Sequence, residues 1–323
     1  MHKFLLTIAI PTYNRSGFLK RNLEYLYLQK ESLDDVELIV SDNASTDNTN
    51  DIVDVYISLG LKIEYIRNAE NRGADFNVAQ CYLKAQGRYV LALGDDDFLI
   101  NGSIAILLKV LSKENYGVVF FNNDKLKNTT ILNYNKLNYT EYTDPIKYIK
   151  KVNLYITFIS GNIINRQYLN ESKLLKYQGS NLNHVSHILD IVLKSSKNLY
   201  IHDILLTAEP DNTGGYNLVE IFGENFNLII SELDHNKTDV GIIKKIINNS
   251  LLVEFFPIVI LKLKLNKNHT FVDANPVLSL KPLFKGYFNF WLCCYPLFVL
   301  PNKPAIVYSY FIKIYAKIRR IIS

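Results

Sequence analysis

The sequence predicts an α/β protein, a mostly parallel β-sheet flanked by helices and followed by a helical C-terminal region. Short apolar runs alternate with amphipathic stretches through the first 122 residues, the pattern of βαβ units. Several of those runs end in a cluster of polar residues, where open α/β sheets gather their ligands. From about residue 215 onward strand-like runs give way to helices of increasing apolarity.

The candidate strands in order are Phe4–Ile10, Val36–Ser41, Lys62–Arg67, Tyr89–Leu93 and Gly117–Asn122. Between them, Gly17–Gln29 carries Phe18, Leu19, Leu23, Leu26 and Tyr27 at helical spacing, and Asn48–Leu59 and Asp75–Ala85 read as further helices. Asn122–Thr143 is polar, rich in Asn and Tyr and without period, which reads as a long loop or small subdomain. Ile156–Ile164 and Leu199–His202 read as strands, with a helix near His184–Leu193. The organisation expected is residues 1–122, 123–214 as the second half of the same domain, and 215–323 as the helical region.

At 323 residues, 48% of them hydrophobic and 21% charged, the chain can bury a sizeable core. Cys81, Cys293 and Cys294 form neither a CxxC pair nor a spaced framework, which argues against a disulfide scaffold or structural zinc and fits a reducing cytoplasm. The opening MHKFLLTIAIPTYNR has an apolar run of only about seven residues closed by Pro11, so it reads as a first strand and not as a signal peptide.

The net charge of +5 is unevenly placed. From Lys262 onward there are ten Lys and Arg against one acid, Asp273, which leaves the preceding body net acidic. A basic tail on an acidic body points to surface binding and not to a nucleic-acid-binding fold. Gly286–Leu300 is fifteen residues long and contains Pro296, short of the ~20 needed to span a bilayer. Farther on, Phe311, Ile314, Tyr315, Ile318, Ile321 and Ile322 share one helical face while Lys313, Lys317 and Arg320 share another. That is the pattern of a basic amphipathic helix on an anionic membrane, the other reading being a helix packed on the protein by its apolar face.

Three strand ends carry unusual polar clusters: Pro11-Thr12-Tyr13-Asn14-Arg15, Ser41 to Asp47, and Gly94-Asp95-Asp96-Asp97. Ser45, Thr46, Asp47 and Asn48 also suit a plain helix N-cap. The adjacent aspartates repel one another and raise each other's proton affinity, a penalty that a cation removes. All-oxygen ligation suits a hard divalent ion bridging to nucleotide phosphates, Mg²⁺ or Mn²⁺; a solvated turn before the next helix is the plainer alternative.

IPTYNR at Ile10–Arg15, SDNASTDNT at Ser41–Thr49, NRGADFN at Asn71–Asn77 and AQGRYVLALGDDD at Ala85–Asp97, in this order and spacing, resemble glycosyltransferase family 2. Within it they resemble the O-antigen sugar transferases of the abequosyltransferase type. The likeness covers about the first third of the chain.

It implies a GT-A fold whose first half binds a UDP-, dTDP- or CDP-linked sugar and whose second half binds a glycan or lipid-linked acceptor. It also implies inverting, metal-assisted hexosyl transfer in lipopolysaccharide or related surface-polysaccharide synthesis, on the inner face of the cytoplasmic membrane. Carried over residue by residue, Pro11, Thr12, Tyr13, Asn14 and Arg15 would line the nucleoside, Asp42 would accept a pyrimidine N–H, and Asn71 would join the donor site. Asp95 and Asp96 would contact ribose and phosphate, and Asp97 would hold Mn²⁺ or Mg²⁺. Gly94 stands where the family's DxD-like block usually begins with Asp.

The carboxylate base expected in the second half has no counterpart in Gly179–His187. His184 is the substitute, an imidazole able to take a hydroxyl proton near neutral pH, with Asp190 as the other candidate. Two further readings stand beside this one. A nucleotidyltransferase acting on a sugar phosphate would need a glycine-rich basic loop after the first strand, where PTYNRSG has a single Gly. The other is a non-catalytic membrane-bound assembly partner.

Overall fold

The computed structural model describes residues 3–125, 137–208, 217–265 and 276–322, with Lys125, Pro276 and 320–322 described by backbone alone. The chain divides into two compact units, Met1–Asn212 and Thr213–Ser323. The boundary expected at 214/215 falls in 209–216, outside the described residues.

In the first unit, β1 (Leu6–Thr12), β2 (Val36–Asp42), β3 (Ile63–Arg67) and β4 (Tyr89–Ala92) run parallel, linked by α1 (Ser16–Tyr27), α2 (Thr49–Ser58) and α3 (Ala74–Lys84). β1 and β2 are buried along nearly their whole length, and that is why they read as near-continuous apolar runs. Glu37 is the exception inside β2. Its carboxylate accepts from Thr7 Oγ1 at 2.6 Å and from the Gln86 amide at 2.8 Å, so the buried charge is met by hydrogen bonds.

The chain continues through β5 (Asp97–Leu99), α4 (Ser103–Leu111), β6 (Val118–Lys125), β7 (Tyr139–Tyr142), α5 (Pro145–Val152), β8 (Asn162–Asn165), α6 (Asn183–Lys194) and β9 (Asn198–Ala208). The strand order is β3-β2-β1-β4-β8-β6-β9-β5, with β7 also on β9. β8 runs antiparallel to β4 and β6, and β5 and β7 run antiparallel to β9. The sheet is therefore mixed, parallel in its first half. β1 lies between β2 and β4, so successive crossovers leave it in opposite directions. That is the topological switch point at which such sheets open a crevice.

Two expected segments differ. Of Ile156–Ile164 only Asn162–Ile164 joins a strand; the preceding residues form tight turns, because Asn162 Nδ2 donates to the carbonyls of Ile156 at 3.4 Å and Phe158 at 2.8 Å. Within the expected loop Asn122–Thr143, residues 126–136 lie outside the described residues. Its last part pairs as β7, whose Tyr-Thr-Glu-Tyr sequence favours a strand while burying little.

The second unit contains α7 (Phe226–Ser231), α8 (Lys237–Ser250), α9 (Phe256–Lys264), α10 (Pro276–Phe284), α11 (Tyr295–Val299) and α12 (Asn302–Ile322). A π-turn at Glu220–Asn225 precedes α7. α8 and α9 form one 28-residue run that widens into another at Leu251–Phe255, and a third at Phe290–Cys294 precedes α11. Pro257 and Pro296 follow the last two of these turns. Proline lacks an N–H and crowds the preceding turn, so the helix opens there. Two carbonyls at these openings find other donors, Leu252 from Cys294 Sγ at 3.3 Å and Leu292 from the Tyr308 hydroxyl at 2.8 Å.

Among the described residues the Lys237–Lys264 run is long and apolar enough to cross a bilayer, but 56% of its apolar window is buried in the protein. Asn248 within it donates to Asn227 Oδ1 and the Tyr287 hydroxyl, contacts of a core helix.

Gly87, just ahead of β4, approaches β1 so closely that an added Cβ would lie 2.7 Å from the Thr7 nitrogen and 2.9 Å from the Leu6 carbonyl carbon. Backbone cannot yield as a side chain does. Gly87→Ala is expected to destabilise the first unit by about 1–3 kcal/mol, read as a lower urea midpoint; an unchanged midpoint would mean that β1 and β4 can separate there.

Candidate functional site

The carboxyl ends of β2, β1 and β4 lie side by side and bring the three polar clusters together. Thr12, buried at the end of β1, donates its hydroxyl to Asp95 Oδ2 at 2.8 Å. Arg15 reaches the same carboxylate with Nη1 at 3.1 Å and Asp96 with Nη2 at 2.7 Å, while its guanidinium covers the Phe18 ring. Asp97 accepts from Ser160 Oγ at 2.5 Å, and that hydroxyl accepts from the Gly94 amide at 2.8 Å. A Cβ on Gly94 would lie 2.9 Å from Asp97 Oδ2 and 3.2 Å from both Asp96 Oδ1 and Ser160 Oγ. The departure at the start of the block therefore leaves room for the other carboxylates.

Burial is the largest influence on two of these groups. It raises Asp95 to about 6 against the opposing pull of Arg15 and Thr12, with the Asp96 charge adding to the rise. It raises Asp97 to about 7 against the Ser160 hydrogen bond, with Asp96 and Asp95 adding. Asn22, on the apolar side of α1, secures the turn from beneath. Its Nδ2 donates to the carbonyls of Gly94 at 3.0 Å and Asp97 at 2.8 Å. Asn22 and Ser160 escaped the sequence reading. Asn22 left one trace, a polar residue among Leu19, Leu23 and Leu26; Ser160 left none, because tertiary folding alone brings it to Asp97.

The second cluster does more than cap a helix. Asp47, just ahead of α2, accepts from the Thr49 hydroxyl at 2.6 Å and amide at 3.2 Å, and also from the Ser16 amide at 2.9 Å. Asn14, in a left-handed conformation with φ 51° that Asn tolerates, donates its amide to Ser45 Oγ and accepts from the Thr46 amide. Asp42 is fully buried, and its carboxylate accepts from the Ser45 amide at 2.9 Å and the Tyr65 hydroxyl at 2.7 Å, with Arg67 Nε at 3.4 Å. Burial, with Asp42 adding, pushes the Tyr65 phenol up. Asn71 accepts from Asn43 Nδ2 at 2.7 Å and from the Gly73 amide, tying the third motif to the second. Pro11 is half-buried and Tyr13 is 41% exposed. A cavity of about 370 Å³ lined by Asn14, Arg15, Phe18, Arg21 and Asp47 opens beside this interlock. A cavity of about 380 Å³ lined by Lys3, Glu37, Lys62 and Gln86 lies at the opposite ends of the strands.

His184 lies in the first turn of α6, its Nε2 3.0 Å from the Thr157 carbonyl. A carbonyl only accepts, so Nε2 carries the proton and Nδ1 is the basic nitrogen. Burial lowers the imidazole to about 4, which corrects the expectation of a group titrating near neutrality. Asp190 is held by Lys194 at 2.7 Å and Lys173 at 3.5 Å. Thr157 and Ser160 belong to one segment of turns, so a single stretch of chain touches both His184 and Asp97. Asp75, from the third motif, adds a link from the other side by accepting from the Asn181 amide at 2.9 Å.

The carboxylates of Asp95 and Asp96 turn toward Arg15 and that of Asp97 toward Ser160. Among the described residues no three acidic, His or Cys side chains converge as a metal cage. The donor set still fits Mg²⁺ or Mn²⁺, which are held by one or two carboxylates plus substrate phosphates.

The model of glycosyl transferase family 2 matches residues 7–172. Abequosyltransferase RfbV of Salmonella typhimurium is 38% identical over 111 residues, 34% of this chain and 33% of that protein. A GalNAc(5)-diNAcBac-PP-undecaprenol beta-1,3-glucosyltransferase of Campylobacter jejuni is 31% identical over 118 residues, 36% of this chain and 37% of that one. The aligned segments thus span about a third of the length of these curated relatives. S. aureus TarS 1-349 with UDP-GlcNAc superposes with a TM-score of 0.58 at 14% identity, covering 94% of this chain and 88% of that one. Mannosyltransferase PcManGT of Pyrobaculum calidifontis, with GDP-Man and Mn2+, gives 0.54 at 14%, covering 97% and 88%. The fold is GT-A.

Because folding raises the Asp97 pKa from 3.8 to about 7, the stability this group contributes is full below about pH 4 and is lost as pH rises through 7. Without divalent ions, Asp97→Asn is therefore expected to melt roughly 5 °C or more above the parent at pH 8 and to lose that advantage by pH 4; a parent that melts higher at pH 8 would contradict the assignment. Asn22→Ala, which strips donors from two carbonyls, is expected to cost about 1–3 kcal/mol by urea unfolding.

Proposed function

The chain belongs to glycosyl transferase family 2, and from that premise we propose that it moves a sugar from a nucleoside-diphosphate donor to a glycan acceptor of a bacterial surface polysaccharide. The observation that carries the reading is the convergence of the β1, β2 and β4 ends. There Thr12 and Arg15 hold Asp95 and Asp96 while Ser160 holds Asp97. The family resemblance of the four motifs and the GT-A fold support it. The C. jejuni relative, whose name carries PP-undecaprenol, supports a lipid-linked acceptor and with it a peripheral position on the inner membrane face.

In this reading Pro11, Tyr13 and Asn14 line the nucleoside, Asp42 and Asn71 fix the base-side wall, and Arg15 lies toward the diphosphate. Mn²⁺ or Mg²⁺, when bound through Asp97 with Asp95 and Asp96 nearby, would neutralise charge on the leaving diphosphate. The acceptor hydroxyl attacks the anomeric carbon as the bond to the diphosphate oxygen breaks, and its proton passes to His184 Nδ1. Burial keeps His184 neutral and so open to a proton, while the same burial makes it a weaker base than a free imidazole. The carboxylate of Asp190, the other candidate, is already engaged by Lys173 and Lys194. Charge stabilisation of the leaving group is the larger effect, and a general base adds roughly 10²- to 10⁴-fold.

Thermal-shift measurements with UDP, dTDP, CDP and their sugars, with and without Mn²⁺, read donor binding directly. Asp97→Ala is expected to abolish the Mn²⁺-dependent shift and all turnover. His184→Ala is expected to keep the shift and to lose turnover by about 100-fold or more. Turnover at the parent rate would remove His184 from the mechanism, and no shift with any nucleotide would remove the reading.

A further inference from the structure

α12 is packed in an unusual way. Its inner side holds Ala305, Ser309 and Ile312 buried. Tyr308 and Tyr315 on that side bond to the Leu292 carbonyl and to Asn289 Oδ1. Tyr315, which the sequence pattern groups with Phe311, Ile314 and Ile318, faces inward instead. The outer side carries Val307 at 70% exposure, Tyr310 at 60%, Phe311 at 49%, Ile314 at 60% and Ile318 at 49%. A single exposed apolar residue is ordinary, but a stripe of them on one helix marks a surface that something covers.

Lys313 and Lys317 are exposed along one margin of the stripe, Lys303 is exposed at the helix start, and no acid occurs in 302–322. The side chains of Arg320, Ile321 and Ile322 lie outside the described residues. A second copy joined stripe to stripe would offer no acid from its own α12 to these lysines. An anionic bilayer meets the same lysines with opposite charge while accepting the apolar side chains. The inner side of the helix is taken up by protein, so the helix lies in the membrane plane and does not cross. From Val307 to Ile318 the stripe is about 17 Å long at 1.5 Å per residue.

We propose that α12 docks flat on an anionic phospholipid bilayer through Val307, Tyr310, Phe311, Ile314 and Ile318, with Lys313 and Lys317 on the headgroups. The inference rests on the peripheral-membrane reading above and gives it a surface.

Flotation of the full chain with phosphatidylglycerol–phosphatidylethanolamine vesicles, against phosphatidylcholine vesicles, tests it. The parent is expected to float with the anionic vesicles and to bind about tenfold or more weakly to phosphatidylcholine or at about 0.5 M salt. Phe311→Glu with Ile314→Glu is expected to weaken binding by about tenfold or more. Lys313→Glu with Lys317→Glu is expected to remove the preference for anionic lipid. Fluorescence of Trp291, the single tryptophan, and the melting temperature check that each variant folds, and all of the substituted positions are exposed. A parent that does not float overturns the docking and the membrane reading together. If the parent floats and the Phe311, Ile314 double variant floats equally well, the membrane reading stands and the assigned surface falls. A parent dimer that the double variant dissolves overturns the proposal in favour of a second copy. Nucleotide-sugar turnover in the same samples tests the transferase reading separately.

Discussion

Asp95, Asp96 and Asp97 are each less than a tenth exposed, so their charges must be met inside the protein. Much of the first unit is arranged around that requirement. Arg15 supplies a cation to two of them, Thr12 and Ser160 supply hydroxyls, and Asn22 fixes the backbone of the turn. The compensation is partial, since Asp95 and Asp97 still stand well above an ordinary carboxylate. Such a site gains from any ligand that brings positive charge and is poorly satisfied without one.

The same bonds join parts of the chain that are distant in sequence. Ser160 and Thr157 lie in one segment of turns between α5 and β8, and this segment reaches the aspartates at one end and His184 at the other. Asp75 in the third motif holds the approach to α6. The aspartate cluster and His184 are thereby tied through a few hydrogen bonds.

The second unit follows different rules. Its helices are interrupted by π-turns ahead of two prolines, and an Asn-rich seam of Asn227, Asn248, Asn249 and Asn289 runs between helices that otherwise pack apolar surface. Polar bonds of fixed geometry allow few alternative packings. Asn289 of this seam takes the Tyr315 hydroxyl on the inner side of α12, whose outer side keeps an exposed apolar stripe.

The sequence by itself determined the parallel half of the sheet. A strand buried on both faces must be an almost unbroken apolar run, and β1, β2 and β4 are legible for that reason. It also determined that three polar clusters stand at the ends of these strands, whereas the bonds from Thr12 and Arg15 to the aspartates came with the folded structure. Tertiary structure alone decided the rest. Ser160 and Asn22 become part of the site through contacts 63 and 75 residues away along the chain, which no local pattern records. The state of His184 follows from burial and from the Thr157 carbonyl, both properties of packing. The periodicity of α12 distinguishes its faces, but which face turns outward depends on the Leu292 carbonyl and Asn289, which take the hydroxyls of Tyr308 and Tyr315 on its inner side.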